Sequence, residues 1–337
     1  MRYYRLEIAD KYGRPAIARD GTLIGPFDTS VSAGSGLHID FDATIAGYDI
    51  VKSGTRITLY GLPVSMLSQS VQLSGYYLKL KAGFTAGLPL ANRNQADWII
   101  SGEIYNCYAN WIGTEQSLNF IVNPCPLFND EGQALCITLS GKKGDNLGEV
   151  VKQALKGAYP NTDVITTVSN KLALPEDATG VCPRMEPFST MVRSLSKSII
   201  KDDGYSGVQI VRQNGAIHIF DNWWVSRDDA KQILPQELIG QPTWAGLNQV
   251  SFTCPLRADL RCGEKISLPQ NIISGPSSLL SVNNQHSSPM LRNNVNFSGI
   301  FLISSVRHVG KYLLADSSNA WVTIYEALAQ HREAENE

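Results

Sequence analysis

Two carboxylates, Glu103 and Glu115, lie on alternating segments separated by a turn. A hairpin there would place an acid and a base on one sheet, the pair that glycoside hydrolysis uses. A second candidate is the row His38, Asp40 and Asp42, three potential metal ligands on one face of a strand. Period-two alternation makes such rows on any strand with one face in water, so the row reads equally as a solvated face. The five histidines, His38, His218, His286, His308 and His331, are dispersed, with no His-Glu-x-x-His spacing. Gly141 to Gly144 reads GKKG and lacks the upstream glycine of a phosphate loop. The glycines around Ala33 are too few for a dinucleotide fingerprint, and no Gly-x-Ser-x-Gly elbow occurs. Cys107, Cys125, Cys136, Cys182, Cys254 and Cys262 contain no Cys-x-x-Cys pair, so they read as small buried hydrophobes in a reduced protein. No enzyme, metal or cofactor is expected from this inventory.

The elements that carry these residues are mostly strands. Tyr3 to Ile8 alternates, and Leu37, Ile39 and Phe41 form the inward face of a second strand. Further strands are expected at Gly54 to Pro63, Trp98 to Ile104, and Ser117 to Val122. The texture changes from Asp145, expected to cap a helix whose stripe is Leu147, Val150, Val151, Ala154, Leu155 and Ala158. A second helix is expected from about Pro187 to Lys201, with Phe188, Met191, Val192, Leu195 and Ile199 as its apolar stripe. Asn214 and Gly215 predict a two-residue hairpin, and two helices are expected to pack on one small sheet. Asn248 to Cys254 then alternates with Phe252 inward, and Gly263 turns the chain into a strand carrying Ile266 and Leu268. Gly299 to Val309 and Ala320 to Ala327 complete a small antiparallel barrel or sandwich.

The chain also repeats a pattern. Gly54, Ile57, Leu59 and Pro63 match Gly263, Ile266, Leu268 and Pro269, and the strands through Phe41 and Phe252 precede them. The strands at Trp98 and Ser117 take the places of those at Phe301 and Trp321. Two related β-domains are inferred.

The 337-residue length suits two or three domains. Charged residues make up 18%, below the roughly 25% of an average domain, and the net charge of -2 gives no reason to expect a polyanion partner. Such a surface suits a protein built into an assembly. No signal-peptide core and no membrane span are expected.

The run from Cys254 to Pro269 (CPLRADLRCGEKISLP), that from Phe297 to Gly310 (FSGIFLISSVRHVG) and the closing NAWVT from Asn319 resemble the C-terminal tube-type domain of baseplate hub proteins of contractile-tailed bacteriophages, the late control protein D group. The resemblance covers about eighty residues and implies a mainly β protein: two tube-type antiparallel barrel or sandwich domains flanking a small α+β middle domain. The expected boundaries are 1-125, 126-235 and 236-330, with an arm at 270-296 and a polar tail at 331-337. The arm is read as ordered by a neighbouring subunit or as disordered. The implied protein is a homotrimer joining a six-fold tail tube protein to a three-fold central spike protein in the virion baseplate, assembled in the host cytoplasm. It would also contact other baseplate proteins, with tape measure protein or DNA in its channel. Phe252, Gly263, Ile266, Leu268, Arg307, His308 and Trp321 are the expected structural or interface residues, with Arg307 and His308 matching an Arg-His pair of the family. A competing reading is a cell-wall-active or carbohydrate-binding protein whose Trp98, Trp111, Trp223 and Trp224 stack on sugar rings.

Overall fold

Alternating strands dominate the fold, and their pairing joins distant parts of the chain. The structure, a computed structural model, describes residues 1–30, 36–48, 54–84, 95–128, 133–223, 230–246, 248–269, 297, 299–314 and 320–329. The expected arm at 270-296 and the tail at 331-337 lie outside the described residues.

The N-terminal part contains β1 (Arg2–Ala9), β2 (Phe27–Asp28), β3 (His38–Ala46), β4 (Thr55–Tyr60), a one-turn helix α1 (Val64–Leu67), β5 (Tyr77–Phe84), β6 (Asp97–Ile112) and β7 (Glu115–Asn123). The middle part contains β8 (Ile137–Gly141), α2 (Leu147–Ala158), β9 (Val164–Thr167), β10 (Ala178–Cys182), α3 (Met185–Ile199), β11 (Gln209–Gln213) and β12 (Ala216–Phe220). The C-terminal part contains β13 (Lys231–Gln232), β14 (Thr243–Trp244), β15 (Gln249–Pro255), β16 (Lys265–Ser267), β17 (Ile300–Lys311) and β18 (Trp321–Ala329). The protein is mainly β, with an α/β insert between two antiparallel β-domains.

Three apolar clusters follow these parts. The first is built from Tyr4, Leu6, Ile39, Ile57, Leu59, Leu78, Leu80 and Phe120, the second from Leu139, Val151, Leu155, Phe188 and Val192, and the third from Phe252, Ile266, Phe301, Ile303 and Tyr325. A single thirteen-stranded sheet runs through the first and third parts in the order β14-β15-β18-β17-β3-β4-β7-β6-β5-β1-β2, with β16 and β13 branching from β17.

The sequence reading of the middle part needs three corrections. Asn146, one residue after the expected Asp145, caps α2: its Oδ1 accepts from the amides of Gly148 at 2.9 Å and Glu149 at 3.4 Å. Asp145 instead accepts from the amide of Lys142. Helix α3 begins two residues early, at Met185, because Pro187 falls in its first turn, where no helical amide is required. The helices also pack against two small sheets, β8 with antiparallel β10, and β11-β12-β9, where one was expected. Asn214 (φ 50°) and Gly215 (φ 79°) form the expected turn between β11 and β12.

The repeat is present, but it aligns one strand away from the sequence match over its first half. The order β3-β4-β7-β6-β5 recurs as β14-β15-β18-β17-β16. Gly75, and not Gly54, is the counterpart of Gly263. Both have φ of 85°; Gly75 donates to Ile104 O at 2.9 Å, and Gly263 to Ile303 O at 2.8 Å. Ile104 donates back to Tyr76 O at 2.7 Å, and Ile303 to Glu264 O at 2.9 Å. Leu78 and Leu80 therefore match Ile266 and Leu268, while Ile57 opposite Phe120 matches Phe252 opposite Tyr325. Each long strand carries a register shift at the same place, between Ile104 and Asn106 in β6 and between Ile303 and Ser305 in β17. The correspondence of the last two strands, β6 with β17 and β7 with β18, agrees with the sequence match. The copies diverge at the far edge, where β1 lies antiparallel to β5 and β13 parallel to β16.

Candidate functional site: the seam between the two β-domains

The bulge in β17 divides that strand between two partners. Residues Ile300 to Leu302 pair with β16, whereas Ser305 to Lys311 pair with β3, opposite Ala46 to Asp40. This seam joins residues more than 250 positions apart. Along β17, side chains alternate between the open face and the interior.

Arg307 lies on the open face and clamps Asp42 of β3 with two bonds, Nε to Oδ1 at 2.8 Å and Nη2 to Oδ2 at 2.6 Å. These bonds raise the guanidinium pKa further above its already high value. Asp42 thus serves the seam, and the neighbouring His38 and Asp40 pair with each other at 3.1 Å. His38 Nδ1 also accepts from the amide of Leu313 at 3.3 Å, while Asp40 Oδ1 is buried without a hydrogen-bond partner. Among the described residues no cluster of His, Cys, Asp or Glu could hold a metal ion.

His308 points inward and is buried. Its Nδ1 lies 3.0 Å from Thr323 Oγ1 of β18, and burial pulls its pKa down to about 3, which keeps the ring neutral. Thr323 Oγ1 accepts from the amide of Arg257 at 3.1 Å and lies 3.2 Å from the Arg257 carbonyl. The Arg257 side chain, only 6% exposed, donates from Nε and Nη2 to Asp259, both at 2.7 Å, and from Nη1 to Glu237 at 3.1 Å. Burial lowers its pKa, but the bonds to Asp259 outweigh it and the net movement is upward. Glu237 also accepts from Gln95 Nε2 at 3.0 Å, and the amide of Ala258 donates to Gln95 O at 2.7 Å. The segment after β15 is thereby fixed against the N-terminal domain.

Trp321 completes the seam. It belongs to the C-terminal part but is buried in the N-terminal cluster with Leu256 and Ala258. Its indole donates to Gly83 O at 3.0 Å and meets Phe41 edge-on at 5.2 Å. Arg307, His308 and Trp321 therefore sit together at the seam. Phe252, Gly263, Ile266 and Leu268 sit apart from them around the C-terminal core, Phe252 stacked on Tyr325 at 4.9 Å. Gly263 packs under Phe220: a Cβ there would lie 3.0 Å from the ring. Sequence reasoning missed Arg257, Asp259 and Asp42 as partners. The Arg-x-Asp spacing at 257 and 259 was a local signal; the partner of Asp42 had none.

The enzyme-like candidates do not come together. Glu115 faces Ile112 at the tip of the β6-β7 hairpin, whereas Glu103 faces Asn123 eight residues down β7, which separates them by roughly 26 Å at about 3.3 Å per residue. A shared glycosidic bond requires less than about 10 Å. Trp111 is exposed, but Trp98 is half-buried and Trp223 packs edge-on against Tyr205 at 6.0 Å. Trp224 lies outside the described residues. A cleft of about 610 Å³ between β3, β7 and α3 is lined by Ile45, Ile99, Ile121, Arg184 and Arg212, with Glu186 its one carboxylate among the described residues. Arg212 Nη1 is buried without a hydrogen-bond partner. This chemistry can hold an anionic group, but it pairs no acid with a base. Five of the six cysteines are buried and all six are free, Cys136 being the exposed one. No helix among the described residues is long and apolar enough to cross a membrane.

No family model matches this sequence, and no curated protein does. Among solved structures, the chain is similar to proteins of phage tails and of the type VI secretion system. The 43 kDa tail protein of prophage MuSo2 from Shewanella oneidensis is 8% identical, with 98% of this chain and 99% of that chain covered and a TM-score of 0.47. A tail protein from Neisseria meningitidis MC58 is 10% identical, with 97% and 96% covered and a TM-score of 0.46. The c3393 protein of E. coli, described as a component of the type VI secretion system with structural similarity to the T4 bacteriophage tail proteins gp27 and gp5, is 9% identical, with 88% and 76% covered and a TM-score of 0.44.

Proposed function

We propose that this protein is a structural component of a contractile phage tail, a homotrimeric baseplate hub without catalytic activity. The observation that carries the reading is the repeat: one chain holds two β-modules of the same strand order, fused side by side through β3 and β17. Three such chains present six similar modules, so one ring can meet a six-fold tail tube on one side and a three-fold spike on the other. The modules would surround the tail channel, through which tape measure protein or DNA passes, and the hub would contact other baseplate proteins. The particle is the virion baseplate, assembled in the host cytoplasm. Gly263, Phe252, Ile266 and Leu268 serve this role by holding one module together, and Arg307, His308 and Trp321 by locking the two modules.

The test is the molar mass of the purified protein by light scattering, with negative-stain images of the same peak. A trimer with a central hole and a six-fold outline supports the hub. A monomer that clears peptidoglycan overturns it in favour of the wall-active reading.

A further inference from the structure

The seam inside the chain is half of a pattern whose other half is open. In the C-terminal module the long hairpin strand pairs beyond its bulge with the first strand of the N-terminal module. For β17 that partner is β3. For β6, residues Asn106 to Ile112 pair with β7 on one side, and no strand pairs with their other side among the described residues. The counterpart of β3 is β14, which among the described residues pairs only with β15 and ends the sheet. Among the described residues one socket and one plug of the same kind are therefore left unfilled.

Their backbone groups face outward in matching phase. A two-residue turn closes the β6-β7 hairpin between Ile112 and Glu115, so Ile112, Asn110, Tyr108 and Asn106 bond to β7, and the amides and carbonyls of Trp111, Ala109 and Cys107 point away from it. In β14 the bond from Ala245 N to Gln249 O fixes Thr243 as bonded to β15, which turns the amide and carbonyl of Trp244 outward. The seam shows the same phase: Tyr312 N donates to Ile39 O, so His308 and Ala43 face each other with both groups.

The β6 edge lacks the usual protection, and the β14 edge has only its short length and Pro242. Exposed edge strands are normally blunted by lysine, charge or short length. Residues 105–112, YNCYANWI, and residues 241–246, QPTWAG, contain no charge. Tyr105, Tyr108, Trp111, Ile112 and Trp244 are all exposed.

We infer that the Trp244 edge of one copy adds to the Ala109 edge of a second copy of this chain, repeating between chains the β3-β17 seam. The repeat sets the register. His308 opposite Ala43 becomes Ala109 opposite Trp244, and Val309 opposite Asp42 becomes Asn110 opposite Thr243. The contact is head-to-tail, so it builds a ring if the rotation closes and a filament if it does not. This deepens the hub reading by naming the surface that joins its subunits, but the edge pairing rests on the repeat alone.

The test is a disulfide between Asn110→Cys and Thr243→Cys in a Cys136→Ser background. Opposed residues that face their own hairpins have Cα atoms about 4.5 Å apart, within disulfide reach, whereas a diagonal pair lies about 7–8 Å apart, beyond it. Oxidation should give species of twice and three times the chain mass that collapse on reduction, and Tyr108→Cys with Thr243→Cys should not. Ala109→Pro removes an outward amide and leaves the β6-β7 ladder intact, so it should reduce the assembled mass to one chain that still unfolds in a single cooperative transition. Assembled particles that fail to cross-link, or that cross-link equally through the displaced pair, overturn the edge pairing and leave the hub standing. A ladder that continues past three chains supports the pairing and removes the trimer. A chain monomeric at every concentration overturns the pairing.

Discussion

Acid should weaken the seam through His308. The ring is buried against Thr323 with its pKa pulled from about 6.5 to about 3, so the unfolded chain takes up a proton first as the pH falls. The unfolded state then binds more protons, and stability declines through the window between those two values. At pH 5 the unfolded form gains RT ln(1 + 10^1.5), about 2 kcal/mol, while at pH 7.5 the corresponding figure is about 0.1 kcal/mol. The perturbation is His308→Asn, which keeps a polar nitrogen near the position of Nδ1 and cannot titrate. Urea unfolding followed by tryptophan fluorescence at pH 7.5 and pH 5.0 reads the result. The variant should be less stable at pH 7.5, and the wild type should lose about 2 kcal/mol more than the variant on acidification. His218, lowered by burial and by Arg261, adds a slope of the same sign, and Glu103, raised by burial, adds one of opposite sign. Both are common to the two proteins and cancel in the difference. Equal losses in the two proteins would refute the buried neutral histidine.

Trp321→Ala should cost about 3–5 kcal/mol, because it empties the site between Phe41 and Gly83, and differential scanning calorimetry should show a lower transition temperature. Gly263→Ala should cost about 1–2 kcal/mol from positive φ and crowding against Phe220 together. Gly75→Ala, with the same φ and open space around it, should cost about 1 kcal/mol in the same denaturant titration. Asp42→Asn should cost less than about 1 kcal/mol, because the clamp with Arg307 is substantially exposed, and added salt should shrink the difference from wild type.

The local elements were legible wherever one periodicity prevailed. Phe188 and Val192 marked a buried helix face, and Asn214 with Gly215 marked a turn, because each signal lies within a few residues of the structure it causes. The cap at Asn146 was misplaced by one residue because Asp145 and Asn146 are both capable acceptors, and the choice between them depends on where the preceding loop directs each side chain. The repeat could be recognised but not aligned. Glycine, then an alternating strand, then proline describes many strands that follow a turn, and Gly54 satisfies it better than Gly75, whose strand has no proline before Pro89. What separates them is a bond to Ile104, made across nearly thirty residues. The seam was invisible for the same reason in stronger form: alternation predicts that Asp42 and Arg307 face outward and says nothing of their meeting. Arg307, His308 and Trp321 were singled out by resemblance, and their common place at one junction came only from the fold.

The covalent fusion of the two modules makes their junctions unequal in kinetics. The β3-β17 seam closes within one molecule, at an effective concentration set by the intervening chain and independent of how dilute the protein is. A junction with a second molecule forms at a rate that falls with dilution. Duplication within one chain therefore makes one class of junction first-order, and concentration can regulate only the other.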